Sequence, residues 1–101
     1  TVFTASDFGR TLAVNGDGTD HGWGGHQIVL GGAVKGSEIY GSLPPPTLGH
    51  DADSGGGRLI PSVAVDSYAA ELGRWFGLSE SELSSALPGV GNFDPLPQNF
   101  I

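Results

Sequence analysis

The sequence contains no cysteine and no methionine. That removes disulfides, thiolate metal sites and the thioether filler of many cores, so any metal must be held by Asp, Glu and His. Cationic residues are scarce. Lys35, Arg10, Arg58 and Arg74 stand against eleven acidic residues, a net charge of −7, and form no sequence cluster. Such a chain repels phosphate backbones, which excludes nucleic acid as a partner. Long hydrophobic runs are also missing: none approaches the roughly 20 residues a helix needs to span a bilayer, so no membrane span is expected.

Glycine is what the chain has in excess. Eighteen glycines and seven prolines in 101 residues approach the composition of disordered segments, but the apolar content is enough for a modest core in one partial domain spanning 1–101. The opening run Thr1-Val2-Phe3-Thr4-Ala5 is β-branched and apolar, with no turn or charged leader before it, and reads as a chain entered in mid-strand. A short buried strand is expected over 1–5, with Asp7-Phe8-Gly9-Arg10-Thr11 at its carboxyl end, where α/β sheets place ligand-binding groups.

The stretch NGDGTDHGWGG from Asn15 to Gly25 is too rich in glycine for a helix or a regular strand and reads as a loop. Gln27 to Gly31 and Ser37 to Gly41 have the composition of two further short strands, separated by the turn-forming Lys35-Gly36. Residues 1–41 thus hold the strands and a candidate metal loop, and 42–61 form a Pro/Gly-rich surface excursion. The run Pro44-Pro45-Pro46 acts there as a stiff extended spacer.

Residues 62–88 carry two helices. Val65, Tyr68, Ala69, Leu72, Trp75 and Phe76 recur at helical spacing up to Gly77, a residue suited to end a helix in the left-handed conformation. This predicts a helix over 65–76 with Trp75 and Phe76 in the core. Ser79-Glu80-Ser81-Glu82 is a capping box that starts a second helix ending before Pro88. The tail 89–101 is expected to be extended, and no internal repeat is visible.

Asp7, Asp17, Asp20 and His21 place three carboxylates and an imidazole within fifteen residues. Carboxylates suit Mg²⁺ or Ca²⁺, and a His added to them also suits Zn²⁺ or Mn²⁺. The alternative is that these residues form hydrated Asx-turns, as such loops usually do.

The runs FTASDFGRT, NGDGTDHGWGG, QIVLGGAVKG and SEIYG, followed by GRLIPSVAVDSYAAELGRWFGLSESELSSALPGVGNF, resemble the C-terminal part of the domain of unknown function family 1501. That family is similar to the alkaline phosphatase and sulfatase superfamily. The resemblance implies the C-terminal portion of an α/β three-layer sandwich with short strands, a glycine-rich loop and two C-terminal helices. It also implies an exported, periplasmic or extracellular protein, with Asp7 and His21 as metal ligands. Phe8 departs from the superfamily pattern, which has His or Asn there. A phenyl ring donates no lone pair, so either one metal site is impaired or the family uses a different ligand set in which Asp20 substitutes. The superfamily's nucleophile lies on strands that have no counterpart here, so no catalytic residue is assigned within this chain.

Around these ligands, Arg10 either holds a substrate oxyanion or pairs with Asp7 or Asp20. Thr11 assists by hydrogen bonding, and His26 either supports a ligand from behind or is structural. Trp23 lines a substrate pocket or anchors its loop on the core. His50, Asp51 and Asp53 match no EF-hand spacing and read as exposed loop polarity.

Two functions follow. One is a segment of a metal-dependent ester hydrolase, with Zn, Mn or Ca and a small phosphate or sulfate ester as substrate. The other is a non-catalytic binding or assembly module on a degenerate scaffold. In either, the expected partners are the N-terminal part of a parent protein or neighbouring subunits.

Overall fold

The computed structural model describes residues 1–95 and 99–101. Four short strands come first: β1 (Val2–Phe3), β2 (Gly9–Val14), β3 (Thr19–Gly22) and β4 (Val29–Leu30). Two helices follow, α1 (Val65–Phe76) and α2 (Glu80–Ala86), and then a 3-10 turn at Val90–Asn92. The chain is mixed α and β. It divides into two compact units, one of Thr1–Gly31 with Ser42–Ser62 and the other of Gly32–Gly41 with Val63–Ile101.

The first unit is built from two antiparallel ribbons. β1 pairs with β4 through Val2↔Leu30 and Phe3↔Val29, and the Thr4 N–H continues the ladder onto the Ile28 carbonyl at 2.9 Å. β2 pairs with β3 through Gly9↔Gly22, Arg10↔His21 and Val14↔Thr19, with a register shift between Arg10 and Val14. The residues of β2 inside that shift have no partners on β3. Instead, Leu12 and Ala13 donate their N–H groups to the carbonyls of Gly57 and Gly56, at 3.2 and 3.4 Å. The Thr11 hydroxyl donates to the Ala13 carbonyl at 2.8 Å. The segment after the prolines therefore satisfies the donors that the bulge frees. Gly57 must be glycine there, because its φ is +78° and a Cβ would lie 2.6 Å from the Leu12 Cβ.

Several strand expectations are corrected. The first strand covers only Val2–Phe3, not 1–5, and it is exposed, not buried. The strand expected over Gln27 to Gly31 shortens to Val29–Leu30. The stretch read as an irregular loop contains β3, because its glycines permit close backbone contact: a Cβ on Gly22 would sit 3.0 Å from the Arg10 carbonyl carbon. Ser37 to Gly41 is not a strand. Ser37 has φ +63° and Gly41 φ +93°, and these left-handed residues break an extended run.

The second unit has the helices and the apolar core. α1 ends as its spacing predicts: Gly77 is left-handed at φ 109°, its N–H reaches the Arg74 carbonyl at 3.0 Å and the Leu78 N–H reaches that of Gly73 at 3.0 Å. This pair of bonds is the Schellman arrangement. Gly73 leaves room for Leu83 of α2, whose Cδ2 would be 2.6 Å from a Cβ on that glycine. Leu83 is accordingly only 1% exposed and joins Ala70, Leu72 and Phe100 as the buried apolar residues among those described. Phe100 meets Tyr40 edge-on and Tyr68 at a tilt, with centroids 5.8 and 5.7 Å apart. The Lys35 N–H donates to the Phe100 carbonyl at 2.8 Å. The tail is thus partly docked at Phe100, while its residues 96–98 lie outside the described set.

Trp75 and Phe76 are corrected as well. They are 45% and 81% exposed, and α1 buries Ser67, Ala70, Glu71 and Leu72 in their place. Ser67 donates to the Asp94 carbonyl at 2.8 Å, whereas Glu71 keeps one buried carboxylate oxygen without a hydrogen-bond partner.

The capping box forms as read: the Ser79 N–H donates to Glu82 Oε2 at 2.8 Å, and the Glu82 N–H donates to the Ser79 hydroxyl at 3.4 Å. Ser79→Ala is expected to cost about 1 kcal/mol. Thermal melting followed by helical circular dichroism checks this, and an unchanged midpoint would contradict it.

Candidate functional site

The residues singled out for metal binding sit on and beside the β2–β3 ribbon. Arg10 and His21 are direct partners across its register, so their side chains stand on the same face. Phe8 completes this group. Its ring stacks on His21 with centroids 3.9 Å apart and planes 17° from parallel, and the Arg10 guanidinium carbon lies over it at 5.2 Å. Arg10 also donates through Nη1 to the Thr19 carbonyl at 2.8 Å. Phe8 packs against the imidazole from the position where the resemblance implied a ligand.

Asp20 is adjacent to His21 in a strand, and alternation sends its side chain to the opposite face. There it accepts a hydrogen bond from the Asn15 amide and lies 3.7 Å from the Arg58 guanidinium. Asp7 is exposed, and its carboxylate makes no hydrogen bond or ion pair among the described residues. No three His, Asp or Glu side chains among the described residues come close enough to hold a metal ion. Asp7, Asp20 and His21 therefore do not fit a Zn, Mn or Ca centre by themselves. Arg10, the partner of His21 across the register, is itself a cation and disfavours another.

Of the supporting residues, Thr11 is buried but its hydroxyl is engaged within β2. His26 is exposed, and its ring makes no hydrogen bond, ion pair or ring stack among the described residues. Trp23 is 61% exposed.

A second constellation is more ordered than its sequence suggested. Asp53 accepts backbone N–H bonds from Gly49, Gly55 and Gly57, each at 2.9 Å. His50 receives the Ala52 N–H at Nδ1 and meets the Pro45 carbonyl at Nε2, at 3.1 and 3.0 Å. Arg58 donates to the Gly55 carbonyl at 3.0 Å. The sequence signal was an Asp followed at two and four residues by glycine, which places several N–H groups around one carboxylate.

The Gly49 N–H, followed by those of Gly55 and Gly57 with a smaller contribution from His50, holds the Asp53 carboxyl below its ordinary value of 3.8. A depressed carboxylate contributes stability that is present above 3.8 and lost as pH falls through its lower value in the folded chain. The turn is expected to open only below about pH 3.8. Amide shifts of Gly49, Gly55 and Gly57 that move together there would bear this out, and shifts that stay fixed down to pH 2 would contradict it.

The family model described as "Protein of unknown function (DUF1501)" matches residues 1–56, more than half of the chain. The chain belongs to the DUF1501 family. No curated protein and no solved structure matches it. The matched span of this DUF1501 chain carries both ribbons and the Phe8, Arg10 and His21 group, while both helices lie outside it. No helix among the described residues is long and apolar enough to cross a membrane.

Proposed function

We propose that this chain is an assembly segment of a larger α/β body, resembling the alkaline phosphatase three-layer sandwich, and that it is non-catalytic by itself. The ribbons of the first unit present apolar side chains to a covering surface from another segment or a neighbouring subunit. The observation that carries this reading is the distribution of burial. Ala70, Leu72, Leu83 and Phe100, the buried apolar residues, all belong to the second unit. In the first unit only Gly9, Thr11 and Gly57 are buried.

Val2, Val14, Trp23, Ile28 and Leu30 of the first unit are 60–78% exposed, and Val2 directly opposes Leu30 across the register. Covering an aliphatic side chain contributes about 1.5–3 kcal/mol, and contiguous exposed apolar surface marks interaction sites.

Trp23 reports on the cover. In a Trp75→Phe variant it is the only tryptophan, and its quenching by acrylamide is expected to fall several-fold on assembly, whether in a concentration series or within a longer chain. Equal quenching in every form would overturn the reading.

One observation favours the hydrolase reading for the assembled body: the exposed, unengaged Asp7 directly precedes Phe8, which stacks on His21 and lies under Arg10. In that reading the remaining metal donors come from elsewhere, Arg10 faces the ester anion and the protein works outside the cytoplasm. Stoichiometric Zn²⁺ or Mn²⁺ in the assembled protein, lost in Asp7→Ala and His21→Ala, tests it; a metal-free assembly sinks it.

A further inference from the structure

We propose that His50 is a proton-sensitive clasp that ties the polyproline run to the Asp53 turn when its ring is neutral and releases it when the ring is protonated. Both ring nitrogens are in use. Nδ1 accepts the Ala52 N–H at 3.1 Å, which requires a lone pair on that nitrogen, and Nε2 lies 3.0 Å from the Pro45 carbonyl, which requires a proton there. The two bonds specify one neutral tautomer. Protonation puts a second N–H at Nδ1, directed at the N–H of Ala52, so one bond becomes a donor–donor clash.

Asp53 is the charged group that interacts with the ring, Asp51 is its neighbour in sequence, and Arg58 belongs to the same turn. Asp53 is already occupied by three backbone N–H groups, and Arg58 is held by the Gly55 carbonyl and Asp20. Asp53 attracts a protonated His50, but it cannot restore an acceptor for Ala52.

What the clasp holds matters to the ribbons. Ala52 accepts the Ile60 N–H at 2.8 Å, and the same segment gives the Gly56, Gly57 and Leu59 carbonyls to Ala13, Leu12 and Gly24. Releasing Ala52 loosens the segment that satisfies the β2 bulge. Asp53 keeps its charge until the pH falls below its ordinary value of 3.8, so its turn stays intact between pH 8 and pH 5. Loss of the clasp and loss of the Asp53 turn are therefore separable in one titration.

The test is nitrogen-15 NMR on the full chain. At pH 8 the His50 ring is expected to show an unprotonated Nδ1 and a protonated Nε2. Exchange of the Ala52 amide, corrected for base catalysis, is expected to rise about fivefold to tenfold between pH 8 and pH 5. In His50→Asn, the shorter side chain accepts from the N–H two residues on without titrating, so Ala52 protection becomes independent of pH over this range. A protonated Nδ1 at pH 8, an unprotected Ala52 amide at pH 8, or equal protection at both pH values in the unaltered chain would overturn the proposal.

Discussion

Gly9→Ala is expected to abolish the β2–β3 ribbon. A Cβ at this position would stand 1.7 Å from the carbonyl oxygen of Gly24 and 2.5 Å from its carbon, and both atoms are backbone, so no side-chain rotation relieves the overlap. Gly9 is buried and paired with Gly22 in the register, and its N–H donates to the Trp23 carbonyl at 3.2 Å. The added methyl group must displace Gly24, whose own N–H is tied to the Leu59 carbonyl at 2.8 Å. Overpacking of a rigid contact costs about 3 kcal/mol, and more when backbone has to move. Collapse of the dispersed amide resonances of Gly22, Trp23 and Gly24 is the expected readout, with those of α1 and α2 unchanged. An alanine variant that keeps the wild-type shifts would show that β2 does not approach this loop.

Leu83→Ala is expected to unfold most of the second unit. Truncating a fully buried leucine costs about 2–5 kcal/mol. A unit of this size has a total stability of only about 3–7 kcal/mol at the usual value per residue. The helical signal of the variant is therefore expected to be largely lost at room temperature, or its melting midpoint to fall by about 10 °C or more. Phe76→Ala supplies the contrast: the larger side chain is removed, but from a site 81% exposed, and the change is expected to stay within about 0.5 kcal/mol. If Phe76→Ala were the more damaging substitution, the helix would face its neighbours differently.

These two substitutions also mark what was legible in the sequence. The helices were readable because their signals are local: the spacing of Val65 to Phe76, the glycine after it, and the Ser79 and Glu82 reciprocal cap. Which face of α1 is buried was not readable. The large residues Trp75 and Phe76 outweighed the small ones, whereas packing is set by Gly73, Ala70 and Ser67, which let Leu83 and the tail come close.

The ribbons were misread for a related reason. Glycine at 22 and 24 looked like looseness, but at 24 another backbone segment approaches too closely for a side chain and at 22 it leaves only a tight fit. Contacts between segments distant in sequence leave no period to read.

The candidate site was legible as a list of residues but not as an arrangement. Asp20 and His21 are neighbours in sequence and look like joint ligands, yet strand alternation separates them. The register Arg10↔His21 depends on a bulge that only the Gly56 and Gly57 carbonyls explain. Phe8 looked like a defect in a metal motif, and it has a contact of its own in the stack on His21.

The central claim is that the family-matching part of this chain has no apolar core of its own and is completed by an outside surface. Amide hydrogen exchange on the dilute chain tests it most directly. The account predicts slow exchange at Leu83 and the buried positions of α1, with exchange close to that of an open chain at Val2, Phe3, Val29 and Leu30, falling sharply when the cover is present. Amides of β1 and β4 as strongly protected as Leu83 in the dilute monomer would contradict it.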